Sequence, residues 1–244
     1  MNRFYCKLSI ITCTLMFLVI GNAVAADYKV SLAKMPVYAE SLEKGVLVDF
    51  TKALANESGK KFKVSVVPFA RSMNNVQTGK ADFHMPLIAI PDVDMSTLPY
   101  DYSTETIFHV NFVLYTQKGS GFTKEKLSSN SVKVETDIAH VAYFDFKVAG
   151  SANLEQSLKK VNAGRIDAFI FADFASDPLI KKNSLTNIKR ELFKVYDVKI
   201  ILPKGGKGGS TDQFLSATIK HMRDKGDFDE IMSVIDTPYD NWQP

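Results

Sequence analysis

Val76–Phe83 reads VQTGKADF and Val161–Ala168 reads VNAGRIDA, 85 residues later, so that Ser72, Val76, Gly79, Lys80 and Asp82 fall on Ser157, Val161, Gly164, Arg165 and Asp167. Each copy carries the same local instructions. Arg71–Thr78 and Leu154–Ala163 place apolar residues at helical spacing, Met73 and Val76 in one, Leu154, Leu158 and Val161 in the other. Gly79 and Gly164 stop those helices, because glycine enters the left-handed C′ conformation without a Cβ penalty. A short apolar strand follows each stop through an aspartate, Ala81–Leu87 and Ala168–Phe171. Another strand comes before each copy, at Lys63–Val67 and at Val132–Val134. Glycine between a helix and a strand is common punctuation, but five matches at one offset predict two similar α/β lobes with parallel strands. Ligands of open α/β sheets sit beyond the carboxyl ends of the strands, so two facing lobes hold a ligand in the cleft between them.

The chain has 244 residues, 45% of them hydrophobic and 23% charged, enough apolar material for a sizeable core and too much for disorder. Its first 25 residues stand apart. Arg3 and Lys7 precede the apolar run Leu8–Ile20, and Gly21–Ala25 ends in a small-x-small pattern. This reads as a signal peptide, residues 1–25, cleaved after Ala25. The run is short of the roughly 20 residues that span a bilayer, and no later stretch approaches that length. Both cysteines, Cys6 and Cys13, fall inside it. The exported chain is therefore expected to fold by packing alone, without a disulfide or a cysteine-metal site. Removing Arg3 and Lys7 from 30 basic residues leaves 28 against 27 acidic ones, a balance that points to neither nucleic acid nor an anionic membrane surface.

Several stretches occur in a telling order: the early strand Tyr28–Ala33, GVLVDFTKALANESGKKF at Gly45–Phe62, PFARSMNNVQTGKADF at Pro68–Phe83, LPYDYSTETIFHVNFVLYTQKG at Leu98–Gly119, AGRIDAFIFAD at Ala163–Asp173 and VKIILPKG at Val198–Gly205. Together they resemble the periplasmic solute-binding proteins of ABC importers, of the amino-acid-binding type called family 3. The resemblance implies a type II periplasmic binding fold, two α/β lobes joined by two crossovers with the ligand cleft between them. Lobe one would comprise residues 26–111 and 200–244, lobe two residues 112–199, with hinges at Val110–Tyr115 and Val198–Leu202. It further implies a periplasmic monomer that closes on a small polar solute, amino-acid-like or another small organic molecule, and presents it to an inner-membrane permease.

Members of that family clamp the ligand carboxylate with an arginine just after a first-lobe strand. Here no basic residue lies between Lys80 and Lys118, and Asp94 stands about where that arginine belongs. Arg71, opening a helix beside Phe69, is the substitute, since a guanidinium suits carboxylate or phosphate bidentately; a surface arginine or an internal salt bridge explains it as well. Phe69 supplies either an aromatic wall or core packing. Asp173 is nearest the family's second-lobe carboxylate, which receives a ligand ammonium. A buried acid needs a cationic partner, so an acid at a strand end faces the cleft or a paired base. Thr136 or Asp137 caps a helix after Val132–Val134, and His140 lies one helical turn from Asp137, within hydrogen-bond reach. Tyr38 follows the first strand in a loop that opens onto the cleft. Met85 and Pro86, with Leu87, replace the small hydroxyl residues of many amino-acid binders and make that wall more apolar. His84 reads as core-facing, and Trp242, the single tryptophan, as a cover on lobe one.

The expected function is non-enzymatic binding, with no cofactor, no metal and no nucleic-acid partner. A second class is an enzyme on the same fold, dehydratase-like, for which His140, Asp137 and Asp173 could supply acid–base groups. The sequence carries no metal-spaced histidines, phosphate loop or nucleophile motif for it. A third is a ligand-sensing adaptor for a membrane receptor. The residues do not name the solute.

Overall fold

The computed structural model describes residues 27–90, 93–129 and 131–244. The signal-peptide reading of residues 1–25 lies outside the described residues. In chain order the elements are β1 (Tyr28–Ala33), α1 (Val46–Ser58), β2 (Phe62–Val67), α2 (Phe69–Gln77), β3 (Phe83–Ile88), β4 (Tyr100–Gln117), β5 (Val134–Asp137), β6 (Ala149–Ser151), α3 (Leu154–Asn162), β7 (Ala168–Ala172), α4 (Asp173–Lys182), β8 (Ile188–Pro203), α5 (Ser210–Lys225) and α6 (Asp227–Met232), with short 3-10 helices between several of them. The strands form one sheet in the order β2-β1-β3-β8-β4-β7-β5-β6. That order mirrors itself about its middle. β1 pairs in parallel with β2 and β3, and β5 with β6 and β7. The two long antiparallel strands β8 and β4 lie at the centre and belong to both halves.

The repeated phrase turns out to be the joint that builds each half. The helix stops have the expected geometry: Gly79 and Gly164 take φ of 69° and 66°, and the next amide in each copy bonds back into the helix, Lys80 N–H to Asn75 and Arg165 N–H to Lys160. The aspartates then act as clamps. Asp82 accepts from the Lys29 amide at 2.6 Å while its own amide donates to the Lys29 carbonyl; Asp167 does the same with Lys133 at 2.7 Å. Each acid thereby fixes the register between the strand that follows it and the neighbouring parallel strand. The serines match as well. Ser72 bonds Ser31, two residues beyond Lys29, and Ser157 bonds Glu135, two residues beyond Lys133.

Elsewhere the boundaries move. The expected Val132–Val134 strand is β5, displaced to Val134–Asp137 because Glu135, Thr136 and Asp137 pair with β6 and the first two also with β7. Thr136 is thus a strand residue, not a cap. The expected α-helix after it is a 3-10 helix, Ile138–Tyr143, whose first turn Asp137 caps by accepting from the Ala139 amide at 3.0 Å.

Among the described residues no helix is long and apolar enough to cross a membrane. The core runs along both faces of the sheet through fully buried side chains such as Leu32, Phe50, Phe83, Phe112, Leu114 and Phe169. Alternation along β4 sorts its residues by face. Asn111 donates to the Thr237 carbonyl at 3.0 Å and the His109 amide to Asp236 at 3.0 Å, so these two positions hold the C-terminal tail.

That tail ends on Arg190, whose side chain is wholly buried. The guanidinium bonds both oxygens of Asp177, reaches Asp240 at 3.0 Å and the Trp242 carbonyl, and lies 5.0 Å and 5.1 Å from the Trp242 and Tyr239 rings. The Lys181 ammonium of α4 lies 4.4 Å from the centroid of the same indole ring. Trp242 therefore packs on β8 and α4, where the sequence reading put it over the first lobe. The buried cation draws Asp240 and the Trp242 carbonyl onto β8, a pull that no local pattern announces.

Two predictions follow from these joints. Asp82→Ala and Asp167→Ala should each lower stability by about 1 kcal/mol, and the double variant by close to the sum, because the clamps sit in different halves; urea unfolding measures this. Arg190→Met should cost about 3–5 kcal/mol by stranding Asp177, whereas Asp240→Asn, facing solvent, should cost less than about 1 kcal/mol.

Candidate ligand cleft

A cleft of about 340 Å³ opens where the carboxyl ends of the parallel strands of both halves converge. One wall is Met35 and Tyr38 from the loop after β1, Phe69 at the start of α2, and Pro86, Leu87 and Ile88 at the end of β3. The opposite wall is Ala139, His140 and Tyr143 of the 3-10 helix, Phe171 and Ala172 at the end of β7, and Phe174 of α4. Phe108, Val110 and Phe112 of β4, with Val198 of β8, make the floor. The repeat offset carries through to the site: Pro86 and Leu87 correspond to Phe171 and Ala172 and face them across the cleft.

Contacts cross the mouth from one wall to the other. The Tyr38 and Phe174 rings meet edge-on at 5.7 Å, and the Tyr143 hydroxyl reaches the Ile88 carbonyl at 3.5 Å. Tyr38 is held firmly. Its loop closes through paired Met35–Ala39 amide bonds, and the Leu47 amide at the start of α1 donates to the Tyr38 carbonyl at 2.8 Å. Gly45 is required there, since a Cβ would stand 2.5 Å from the Tyr38 oxygen. Val37 takes φ of 68°, a costly conformation for a β-branched residue and a sign that the surroundings dictate the loop. Burial, with Asp173 nearby, pushes the Tyr38 hydroxyl well above its ordinary pKa, and burial does the same to Tyr143.

Of the residues singled out from the sequence, Tyr38, Phe69, Pro86 and His140 line this cleft. Met85 is fully buried behind it. Arg71 is exposed on α2 and is not in the lining. Thr136 is buried and donates to the Ile170 carbonyl at 2.7 Å. Asp137 accepts from the His140 ring at Nδ1, 2.9 Å away, as the one-turn spacing suggested. Asp173 lies between two lining residues but turns aside: one oxygen accepts from the Phe174 amide at 2.7 Å and the other from Asn111 at 3.0 Å. Burial raises the Asp173 pKa against those bonds. Asp94, at the place of the missing arginine, caps a 3-10 turn by accepting from the Ser96 amide. The floor residues were missed. Their signal was available in the alternation of Phe108, Val110 and Phe112 with polar His109 and Asn111.

Behind the first wall is a buried relay. Asn75 and Ser72 both donate to the Ser31 hydroxyl, at 3.1 Å and 2.8 Å, the Ser72 hydroxyl also lies 2.5 Å from Nδ1 of His84, and Nε2 of His84 is 3.2 Å from the Pro86 carbonyl. The ring is fully buried, where the charged form is disfavoured. Burial accordingly depresses the His84 pKa to about 4. The ring also meets Phe69 edge-on at 5.5 Å, so it braces two residues of the cleft wall. Among the described residues no group of three or more His, Cys, Asp or Glu side chains is placed to hold a metal ion.

No protein-family model matches the chain, and no curated protein matches it by sequence. Solved structures do match by shape. The GluR0 ligand-binding core from Nostoc punctiforme, in complex with L-glutamate, is 13% identical with a TM-score of 0.61 over 86% of this chain and 100% of that one. A putative ABC-transporter binding component from Wolinella succinogenes, complexed with lysine, is 16% identical, with a TM-score of 0.60 over 86% and 96%. A histidine kinase sensor domain with similarity to periplasmic binding proteins is 15% identical, with a TM-score of 0.59 over 85% and 94%. At such identities the likeness establishes the fold: a mixed α/β, two-lobe architecture of the periplasmic-binding-protein kind.

His84 makes the wall pH-sensitive. A base whose folded pKa lies below its unfolded value near 6.5 stabilises the fold above that value, and the contribution is lost as pH falls toward 4. Between pH 7.5 and pH 5 the wild type should lose about 2 kcal/mol more unfolding free energy than His84→Gln, measured by urea titration at both pH values.

Proposed function

We propose that the protein is a periplasmic solute-binding protein, exported by a cleavable signal peptide, that captures a small organic solute between its two lobes and delivers it to an ABC-type permease. The observation that carries this reading is the cleft itself. Its walls come from the strand ends of both halves, its floor from the two strands the halves share, and contacts already bridge its mouth. A solute that touches both walls favours the shut arrangement over an open one by the contacts that only the shut form provides. The lobes are taken as residues 26–111 with 200–244 and residues 112–199. The hinges lie in Val110–Tyr115 and Val198–Leu202, close to the register shift between Phe112 and Val113 on β4. The role is non-catalytic and the protein acts as a monomer. Binding proteins among the similar structures, including a putative binding component of an ABC transporter, support the non-catalytic role.

A second reading, a ligand-sensing adaptor, draws on the kinase sensor domain of similar shape. Uptake separates the two: a deletion strain that stops importing the bound solute supports transport, and one that imports it normally but loses a transcriptional response supports sensing.

Closure is directly measurable. The sequence has no cysteine after Cys13, so Lys60→Cys and Lys147→Cys in the chain beginning at Ala26 accept a donor–acceptor dye pair specifically. A metabolite extract should raise transfer efficiency saturably, and the compound retained at one per protein in native mass spectrometry should reproduce the change unconsumed. Transfer that never moves, with no retained compound, would overturn the binding reading; conversion of the compound would replace it with the enzyme.

A further inference from the structure

We propose that the solute held in this cleft is an uncharged molecule with a flat or bulky apolar body and one hydrogen-bonding group, and not an amino-acid zwitterion. The inference rests on the solute-binding reading and concerns its ligand class.

Three observations carry it. First, among the described residues no Asp, Glu, Lys or Arg side chain lines the cleft; ring faces and edges of Tyr38, Phe69, Tyr143, Phe171 and Phe174 do, over an aliphatic and aromatic floor. A zwitterion would bring two charges into this space and find, among the described lining residues, no Asp, Glu, Lys or Arg to pair with them. Second, two backbone donors of the second wall that could take an anion are used. The 3-10 helix and α4 begin at the second wall, and the amides of Ala139 and Phe174 are occupied by Asp137 and Asp173. A ligand carboxylate would meet those acids where it needs donors. Arg71 does not compensate, being outside the lining. Third, His140 offers a polar atom. His140 lines the cleft among the Phe112, Phe171 and Tyr143 rings, and its Nδ1 is committed to Asp137. With Nδ1–H donated to that carboxylate, Nε2 of the neutral ring is an acceptor, suited to a hydroxyl or N–H on an otherwise apolar ligand. A cation over the ring faces is disfavoured by the aliphatic share of the surface, Met35, Leu87, Ile88, Val110 and Val198, which has no π-face to offer.

The neutral fluorophore N-phenyl-1-naphthylamine serves as the probe on the chain from Ala26 after unfolding and refolding to strip carried-over solute. It should bind at one per protein, and indole should displace it while L-glutamate, L-lysine and L-arginine do not. Ala139→Phe, an exposed position whose enlarged side chain enters the cleft, should weaken the probe at least tenfold with an unchanged circular dichroism spectrum. His140→Phe should weaken indole, which has an N–H, at least fivefold, and naphthalene hardly at all; equal losses would remove the hydrogen bond from the proposal. Full-strength probe binding to Ala139→Phe would place the probe elsewhere and overturn it. Displacement by choline would replace the neutral ligand with a cation. An amino acid that binds the refolded protein when the probe does not would overturn the apolar ligand and leave solute binding intact, whereas failure of the probe and of every compound in a metabolite extract would remove both.

Discussion

The antiparallel pairing of β4 with β8 runs from Tyr100 opposite Pro203 to Gln117 opposite Ile188, and each half reaches the other through it. β3 hangs from one end of β8 and β7 from the far end of β4. The pair therefore has two duties: it completes the hydrogen bonding of both half-sheets, and it floors the space between them. Its ladder is interrupted between Thr106 and Phe108 and again between Phe112 and Val113, on either side of the floor residues. Such irregularities bend a strand and increase its twist, so the two ends of one continuous pair can serve half-sheets of different orientation.

Opposite faces of this pair do different chemistry. Toward the cleft β4 presents Phe108, Val110 and Phe112; His109 and Asn111 bond the tail instead. Charged groups are concentrated away from the cleft. Arg190 and Asp177 neutralise each other in the second half, with the Tyr115 hydroxyl donating to Asp177 at 2.9 Å. Desolvation makes a buried ion pair a weak source of net stability, but breaking one is costly, and that asymmetry fixes where the tail must lie. Against this polar scaffolding the apolar cleft stands out as the place where the chain leaves aromatic surface unfilled.

Much of this was legible in residues because it is local. Helix, glycine stop, aspartate and strand occur within one window of sequence, and β1 spans the Tyr28–Ala33 read for it. The strand-end rule then located the cleft. What escaped the sequence depends on partners far along the chain. Asp173 reads as a ligand carboxylate until Asn111, 62 residues away, is seen bonded to it. Arg190 looks like one more surface arginine until Asp240 and Trp242 arrive. The segment carrying His140 reads as a helix from its cap at Asp137, and only the structure makes it the 3-10 helix Ile138–Tyr143.

The order in which the strands occur has a consequence for how the protein comes into being. The second half pairs strands that are close in sequence: Lys133 meets Asp167 across 34 residues. In the first half β3 has β1 on one side but gains its other neighbour only with β8, where His84 pairs with Ile201. Loop closure costs more entropy, and folding proceeds more slowly, as paired segments lie farther apart. A chain emerging N-terminus first thus exposes β1 to β3 with their central neighbour still unmade. Half of the molecule lacks its central neighbour until the last strand has been delivered.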